Sequence, residues 1–319
     1  MSAEILYEAI GEIREELILD SEKGNRKVRP RLLRNLIAAV LMLTAIALPV
    51  GAEMQTGYVS NLLAPFYGGA QTELVDSIGV PIDASVTVNG YTLTADAVIG
   101  DRYNIAIVYS LTRDDGQLLP ENIGFSGFGS WGRPGGGFYS QQLSADRTVL
   151  KIISQWTSHE RLFWIDRNHR AFFQDLVIRE DGKETLLAKG TWKLDFTIRY
   201  EDTTQTIPCR GVQATDEDGN VYQLKRLQLS PFGVHVDMVG PNPYQTGAAK
   251  PGTYYHYPVS VTLLMADGTE VRMEDETQGY HGDTEGQTFK VQYDTMFDQP
   301  IPVETIKAIR ICDTIIPVI

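Results

Sequence analysis

The sequence predicts a mainly β protein, with a short cytoplasmic amphipathic helix, one transmembrane helix and two extracellular immunoglobulin-like β-sandwich domains. Three observations carry this expectation. Beyond residue 80, short runs of alternating apolar and polar residues, rich in β-branched and aromatic types, are separated by Asn-Gly and Asp-Gly pairs. An uncharged apolar run, Leu36 to Ala52, directly follows a basic stretch. Near the start, apolar residues recur at helical spacing.

Those starting residues read "EILYEAIGEIREELILDSEKG". Leu6, Ala9, Ile10, Ile13 and Leu17 fall three or four apart and form one face of a helix, with Glu4, Glu8, Glu12, Glu15 and Glu16 filling much of the other. Ser2 is placed to cap it, and Gly24 to end it. An isolated helix of this length is marginal in water, so the apolar face is expected to need a partner, and these five residues are the candidate partner-binding stripe. The acidic face makes anionic lipid an unattractive alternative.

From Lys23 to Arg34 there are six Lys or Arg and no acid, the pattern of a segment held on the cytoplasmic side of a bilayer. The apolar run that follows has 17 uncharged residues, which as a helix would span about 26 Å against a hydrocarbon core of roughly 30 Å. A buried core helix would show a polar stripe, and this run has none. Val50-Gly51-Ala52 would also suit cleavage of a secretion signal. The thirty residues ahead of the run favour a membrane anchor, placing residues 1–30 in the cytoplasm and 53–319 outside. The expected organisation is therefore 1–30 helix and basic run, 31–52 transmembrane helix, 53–79 juxtamembrane junction, 80–203 first sandwich and 206–319 second sandwich.

Charge supports a folded exterior and excludes one partner class. The net charge of the 319 residues is -13, and the first 34 hold seven acids and seven bases, so the whole excess lies beyond Arg34. An acidic body repels phosphates, which sets nucleic-acid binding aside. Val86 and Val88 before Asn89-Gly90, with Tyr91 and Leu93 after it, give the strongest hairpin signal in the chain. Asp-Gly recurs at 115–116, 181–182, 218–219 and 267–268. Strands are expected at "NIAIVYSL", "TVLKIISQW", "WKLDFTIRY", "VYQLKRLQL", "VHVDMV", "YPVSVTLLM" and "IKAIRICD", and the polar stretch 200–211 suits a linker.

These features resemble a family of single-pass, anti-sigma-factor-like membrane proteins of Gram-positive bacteria that carry domain of unknown function 4179. "EAIGEI" and "ELI" resemble its amphipathic start, "NGYTLTADAVIGDRYNIAIVYSL" (89–111) its opening strands, "GTWKLDFTIRY" (190–200) its closing strand, and "LQLSPFGVHVDM" (227–238) the start of a second domain that commonly follows. The resemblance implies a membrane-anchored regulator with an extracellular sensing or scaffolding region and a cytoplasmic sigma factor as partner. Residues 1–34 contain no His or Cys, which departs from the zinc-binding type of anti-sigma domain. The alternative is a surface-anchored binding or adhesion module with an unknown extracellular ligand and no signalling role.

Candidate chemistry is sparse. Gly127, Gly129 and Gly132 fit G-x-G-x-x-G, but "RPGGGFY" follows and cannot start the helix that a dinucleotide site needs. Asp216 and Asp218 hint at a calcium loop, yet its twelfth position is Leu227 rather than Glu, so a turn is expected. The five histidines (His159, His169, His235, His256, His281) form no metal-ligand spacing, and no nucleophile elbow exists. No catalytic residue, metal or cofactor is expected. Two aromatic, Gly-rich stretches, 125–141 and 242–258, are candidate ligand loops through Trp131, Tyr139, Tyr244 and Tyr255; the alternative, which the residues favour, is that these rings cap the sandwich core. Cys209 and Cys312 sit near the two ends of the second sandwich and would either pair or remain two separate thiols.

Overall fold

The computed structural model describes residues 57–67, 72–130, 136–158, 168–248, 258–273, 286 and 288–318. Two short helices come first, α1 (Tyr58–Tyr67) and α2 (Thr72–Ile78). Eight strands follow: β1 (Val80–Val88), β2 (Tyr91–Gly100), β3 (Asn104–Arg113), β4 (Ile123–Ser130), β5 (Gly136–Leu143), β6 (Leu150–Thr157), β7 (Asn168–Glu180) and β8 (Lys183–Thr197). Nine more complete the chain: β9 (Gln205–Ile207), β10 (Gln213–Thr215), β11 (Val221–Ser230), β12 (Gly233–Pro241), β13 (Val261–Met265), β14 (Glu270–Arg272), β15 (Thr288–Met296), β16 (Ile306–Ile311) and β17 (Thr314–Pro317).

The expected fold class needs correction. Among the described residues no helix is long and apolar enough to cross a membrane. At ten and seven residues, α1 and α2 reach only about 15 and 10 Å, half a hydrocarbon core or less. The expected transmembrane helix at 31–52 and cytoplasmic helix within 1–30 lie outside the described residues. What the structure has is a mainly β architecture of several sheets.

In the first sandwich, a sheet ordered β1-β2-β3-β6-β5 faces a sheet ordered β4-β7-β8, every pair antiparallel. Alternation supplies the core: Ile105, Ile107, Tyr109 and Leu111 of β3 meet Phe125, Phe173 and Trp192 from the facing sheet. The large sheet is buried on its other side as well. Ala106 and Val108 of β3, with Ala97 and Ile99 of β2, pack under Val59, Leu62 and Leu63 of α1 and Val75 of α2. A bulge between Ala95 and Ala97 makes this possible. Without it Ala97 would share the core face of Leu93 and Ala95; with it, the alternation shifts phase and Ala97 and Ile99 face the helices.

The start of α1 is held by α2. Asp76 accepts from the backbone N–H groups of Gly57 (2.6 Å) and Ser60 (2.9 Å) and from the Ser60 hydroxyl (3.0 Å), satisfying donors the helix cannot satisfy itself.

The second sandwich pairs a sheet ordered β10-β11-β12-β15, with β9 also on β11, against a sheet ordered β14-β13-β16-β17. Its core joins Leu227, Leu229, Val236 and Tyr293 to Val261, Leu263, Ile309 and Ile316. The stretch 200–211, expected as a linker, contains β9, so it contributes a strand to this sandwich as well as the connection. Gly127 and Gly129, expected in a loop, lie in β4 and pair with β7. A Cβ on Gly129 would stand 2.0 Å from the Phe172 ring, so the glycine is there to let that ring lie on the strand.

Candidate functional site

Among the described residues, a set of buried polar side chains (Asp101, Asn104, Gln228, Ser230, His235 and Asp294) gathers where the two sandwiches meet. From the first comes the β2–β3 turn. Asp101 folds it by accepting from the backbone N–H of Tyr103 (2.7 Å) and Asn104 (2.6 Å) and from the Asn104 amide (3.0 Å). Its other contact crosses the joint: the Ser230 hydroxyl, at the end of β11, donates to Asp101 Oδ2. The same hydroxyl accepts from the N–H groups of Phe232 and Gly233, so one serine ties the turns of both sandwiches. Asp101 is 2% exposed. Burial raises its pKa despite these four donors.

The connecting segment is strapped to the same turn. Tyr200 donates its hydroxyl to the Asp101 carbonyl at 2.8 Å, and Arg102 pairs with Asp202 at 2.9 Å. Close approach is needed as well. A Cβ on Gly233 would meet the Thr295 carbonyl at 2.0 Å and the Asn104 amide of the first sandwich at 2.9 Å.

Tyr103 reaches furthest across. Its hydroxyl donates to Gln228 Oε1 at 2.6 Å, and its ring lies flat on the imidazole of His235, 3.9 Å between centroids and 4° between planes. His235, on β12, is 3% exposed, and Asp294, its direct cross-strand neighbour on β15, is 1% exposed. Asp294 contacts Nδ1. Nε2 lies 3.2 Å from Asp237 Oδ1, within ion-pair distance but off the line of a hydrogen bond. Burial pulls the His235 pKa down, and the two carboxylates outweigh it, leaving it raised to about 9. Asp237 is held below the usual carboxylate range: its burial is outweighed by His235, Gln292 and Arg226. His235 is therefore an imidazolium at neutral pH, between two carboxylates and under an aromatic face. Covered in this way, it meets the joint rather than a substrate.

Beside the joint runs a groove of about 930 Å³, lined on one side by Phe66, Tyr67 and Ile153 and on the other by Met273, Met296 and Phe297. Gln155 spans it, donating to the Tyr67 hydroxyl (2.7 Å) and lying 3.2 Å from the Met296 sulfur.

The residues singled out from sequence are scattered. Leu6, Ala9, Ile10, Ile13 and Leu17 lie outside the described residues, as do Trp131, Tyr255, His159, His256 and His281. Tyr139 is half-buried on β5, stacked on Phe128 (5.4 Å, 17°) with its hydroxyl on Gln141. Tyr244 is half-buried on the single helical turn Pro243–Thr246, edge-on to Phe289 at 6.0 Å. Both rings lie against a core. Cys209 and Cys312 are free thiols, so the pairing considered above is not formed, and burial raises both pKa values. Asp216 accepts from the backbone of Asp218 and Asn220 and from the Tyr222 hydroxyl, the work of a turn residue.

Sequence reasoning noted only that His235 shares no metal-ligand spacing with the other histidines and gave it no role. The signal was present in "VHVDMV", where strand alternation puts His235 and Asp237 on one face between buried valines. Its carboxylate partner is 59 residues away, and only the pairing of β12 with β15 brings it near.

No family model matches the chain, and no curated protein matches it. Among solved structures, a conserved domain protein from Bacillus anthracis is similar, with 14% identity, a TM-score of 0.47, and coverage of 73% of this chain and 76% of that one.

Proposed function

We propose that this chain is a regulatory or scaffolding protein without catalytic activity, whose two sandwiches work as one sensing body. The observation that carries this reading is where the polar residues are placed. The buried ionic groups of the joint (Asp101, His235, Asp294) bind the sandwiches to each other and are closed off from substrate-sized access. The resemblance of the early residues to anti-sigma-factor-like proteins supports a cytoplasmic partner, a sigma factor, held by Leu6, Ala9, Ile10, Ile13 and Leu17. The charge and hydropathy of residues 23–52 support work at a cell membrane, with the sandwiches outside.

The test is a pull-down from the native cell with the full chain and with a chain lacking residues 2–22. Capture of a sigma subunit by the full chain alone is the expected result. Equal capture by both forms, or by neither, overturns the regulatory reading.

The groove favours a second reading, a surface-anchored binding module. Its aromatic and methionine lining offers adaptable apolar contact to a ligand. On that reading, deleting residues 2–22 leaves ligand binding intact, and Phe66→Ala or Met273→Ala weakens it.

A further inference from the structure

The geometry points to His235 as a proton-dependent pin of the joint: with both ring nitrogens protonated it holds the sandwiches together, and loss of one proton to solvent releases Tyr103 and lets them separate. This inference rests on the reading of the joint as the element that makes the two sandwiches one body.

The groups around the ring leave few arrangements open. Asp294, from β15, sits at Nδ1, and Asp237, from β12 itself, faces Nε2. From β11 come Arg226, 3.4 Å from Asp237, and Gln228, bonded to Tyr103. Gln292 of β15 donates to Asp237 at 2.9 Å. From the first sandwich come Tyr103, over the ring, and Arg102 beside it, paired to Asp202. The doubly protonated ring gives its Nδ1–H to Asp294, holds its charged Nε2 edge at ion-pair distance from Asp237, and presents a cation to the Tyr103 face. A neutral ring has one N–H, so one nitrogen lone pair must face a carboxylate. If that carboxylate is Asp294, the charge is buried and loses the cation beside it; if it is Asp237, the ring turns its lone pair to an oxygen 3.2 Å away. Either conflict is relieved by turning the imidazole, and the coplanar stack with Tyr103 is lost in that turn. Protonation on one sandwich is thereby read by a residue of the other.

The chain carries its own probes. All four tryptophans precede residue 200 in the sequence, and Trp156 and Trp192 are buried in the core of the first sandwich, while Cys209 and Cys312 report the second. Urea unfolding of the full chain, followed by tryptophan fluorescence and by thiol reactivity, is compared at pH 6.5 and pH 10 for wild type, His235→Gln and Tyr103→Leu. The expected result is coincident transitions for wild type at pH 6.5 and transitions split by about 1 M urea at pH 10. His235→Gln should split at both pH values by the same amount. Tyr103→Leu should also split at both, while its His235 still titrates by NMR; this keeps the test open if His235→Gln fails to fold. Coincidence in wild type at both pH values overturns the switch and leaves the joint standing. Splitting in wild type already at pH 6.5 overturns the joint itself. A pH-dependent split that persists in His235→Gln assigns the effect to another group and overturns the role given to His235.

Discussion

The ring of Tyr103, in the β2–β3 turn of the first sandwich, lies on the imidazole of His235, on β12 of the second, with 3.9 Å between centroids. The contact has a hydrogen bond at its far end, from the Tyr103 hydroxyl to Gln228. Replacing Tyr103 by Leu removes the stack, the cation–π contact and that bond. The expected loss is about 2 to 3 kcal/mol of coupling between the sandwiches, with both cores still folded. Circular dichroism should be unchanged, and the urea midpoint of the less stable sandwich should fall.

Stability should depend on pH through His235. Its folded pKa, about 9, lies above the ordinary 6.5. The contribution is therefore present in full below about pH 6.5 and is lost as pH rises through about 9. Its size is on the order of 3 kcal/mol. Urea midpoints measured between pH 6 and pH 10 should decline across that window, and His235→Gln should flatten the decline.

Gly233→Ala should destabilise the second sandwich by about 2 to 3 kcal/mol, because the obstructing atom is the Thr295 backbone carbonyl on β15, which cannot swing aside. Thermal unfolding measures it. A change of a few tenths would mean that β12 and β15 give way there.

Asp76→Ala should free the start of α1, which loses two backbone bonds and one hydroxyl bond. About 1 to 2 kcal/mol is expected. Hydrogen exchange should quicken at Ser60 and Asn61 and stay slow in β3.

Both cysteines should react as thiols once the chain is unfolded, with no reductant present. In the native protein the reaction should be slow, since burial disfavours the thiolate at both sites. A chain that yields no thiol in denaturant would establish a disulfide.

What could be read from the sequence was local. Asn89 and Gly90 both take positive φ, 50° and 79°, between β1 and β2, and Asp181 and Gly182 do so between β7 and β8; each turn is written in two adjacent residues. The phase shift at Asp96 was not readable, because "TADAVIG" breaks alternation for a reason supplied by α1 and α2 on the far side of the sheet. The aromatic stretch around 125–141 looked like a loop because glycine is frequent in it. Gly129 instead allows close approach of the Phe172 ring, and Gly124, just ahead of the stretch, leaves room for the Gln141 and Arg179 side chains. The joint was the least visible of all: Asp101 and Ser230 are 129 residues apart and His235 and Asp294 are 59 apart, so neither pair has a spacing that a motif could hold.

The most direct test of the two sandwiches as one body is equilibrium urea unfolding of the full chain at pH 7, with tryptophan fluorescence reporting the first sandwich and thiol reactivity the second. One coincident transition is expected if the Tyr103–His235 and Asp101–Ser230 contacts couple them. Two well-separated transitions would contradict the joint, and the sandwiches would then be independent modules on a common chain.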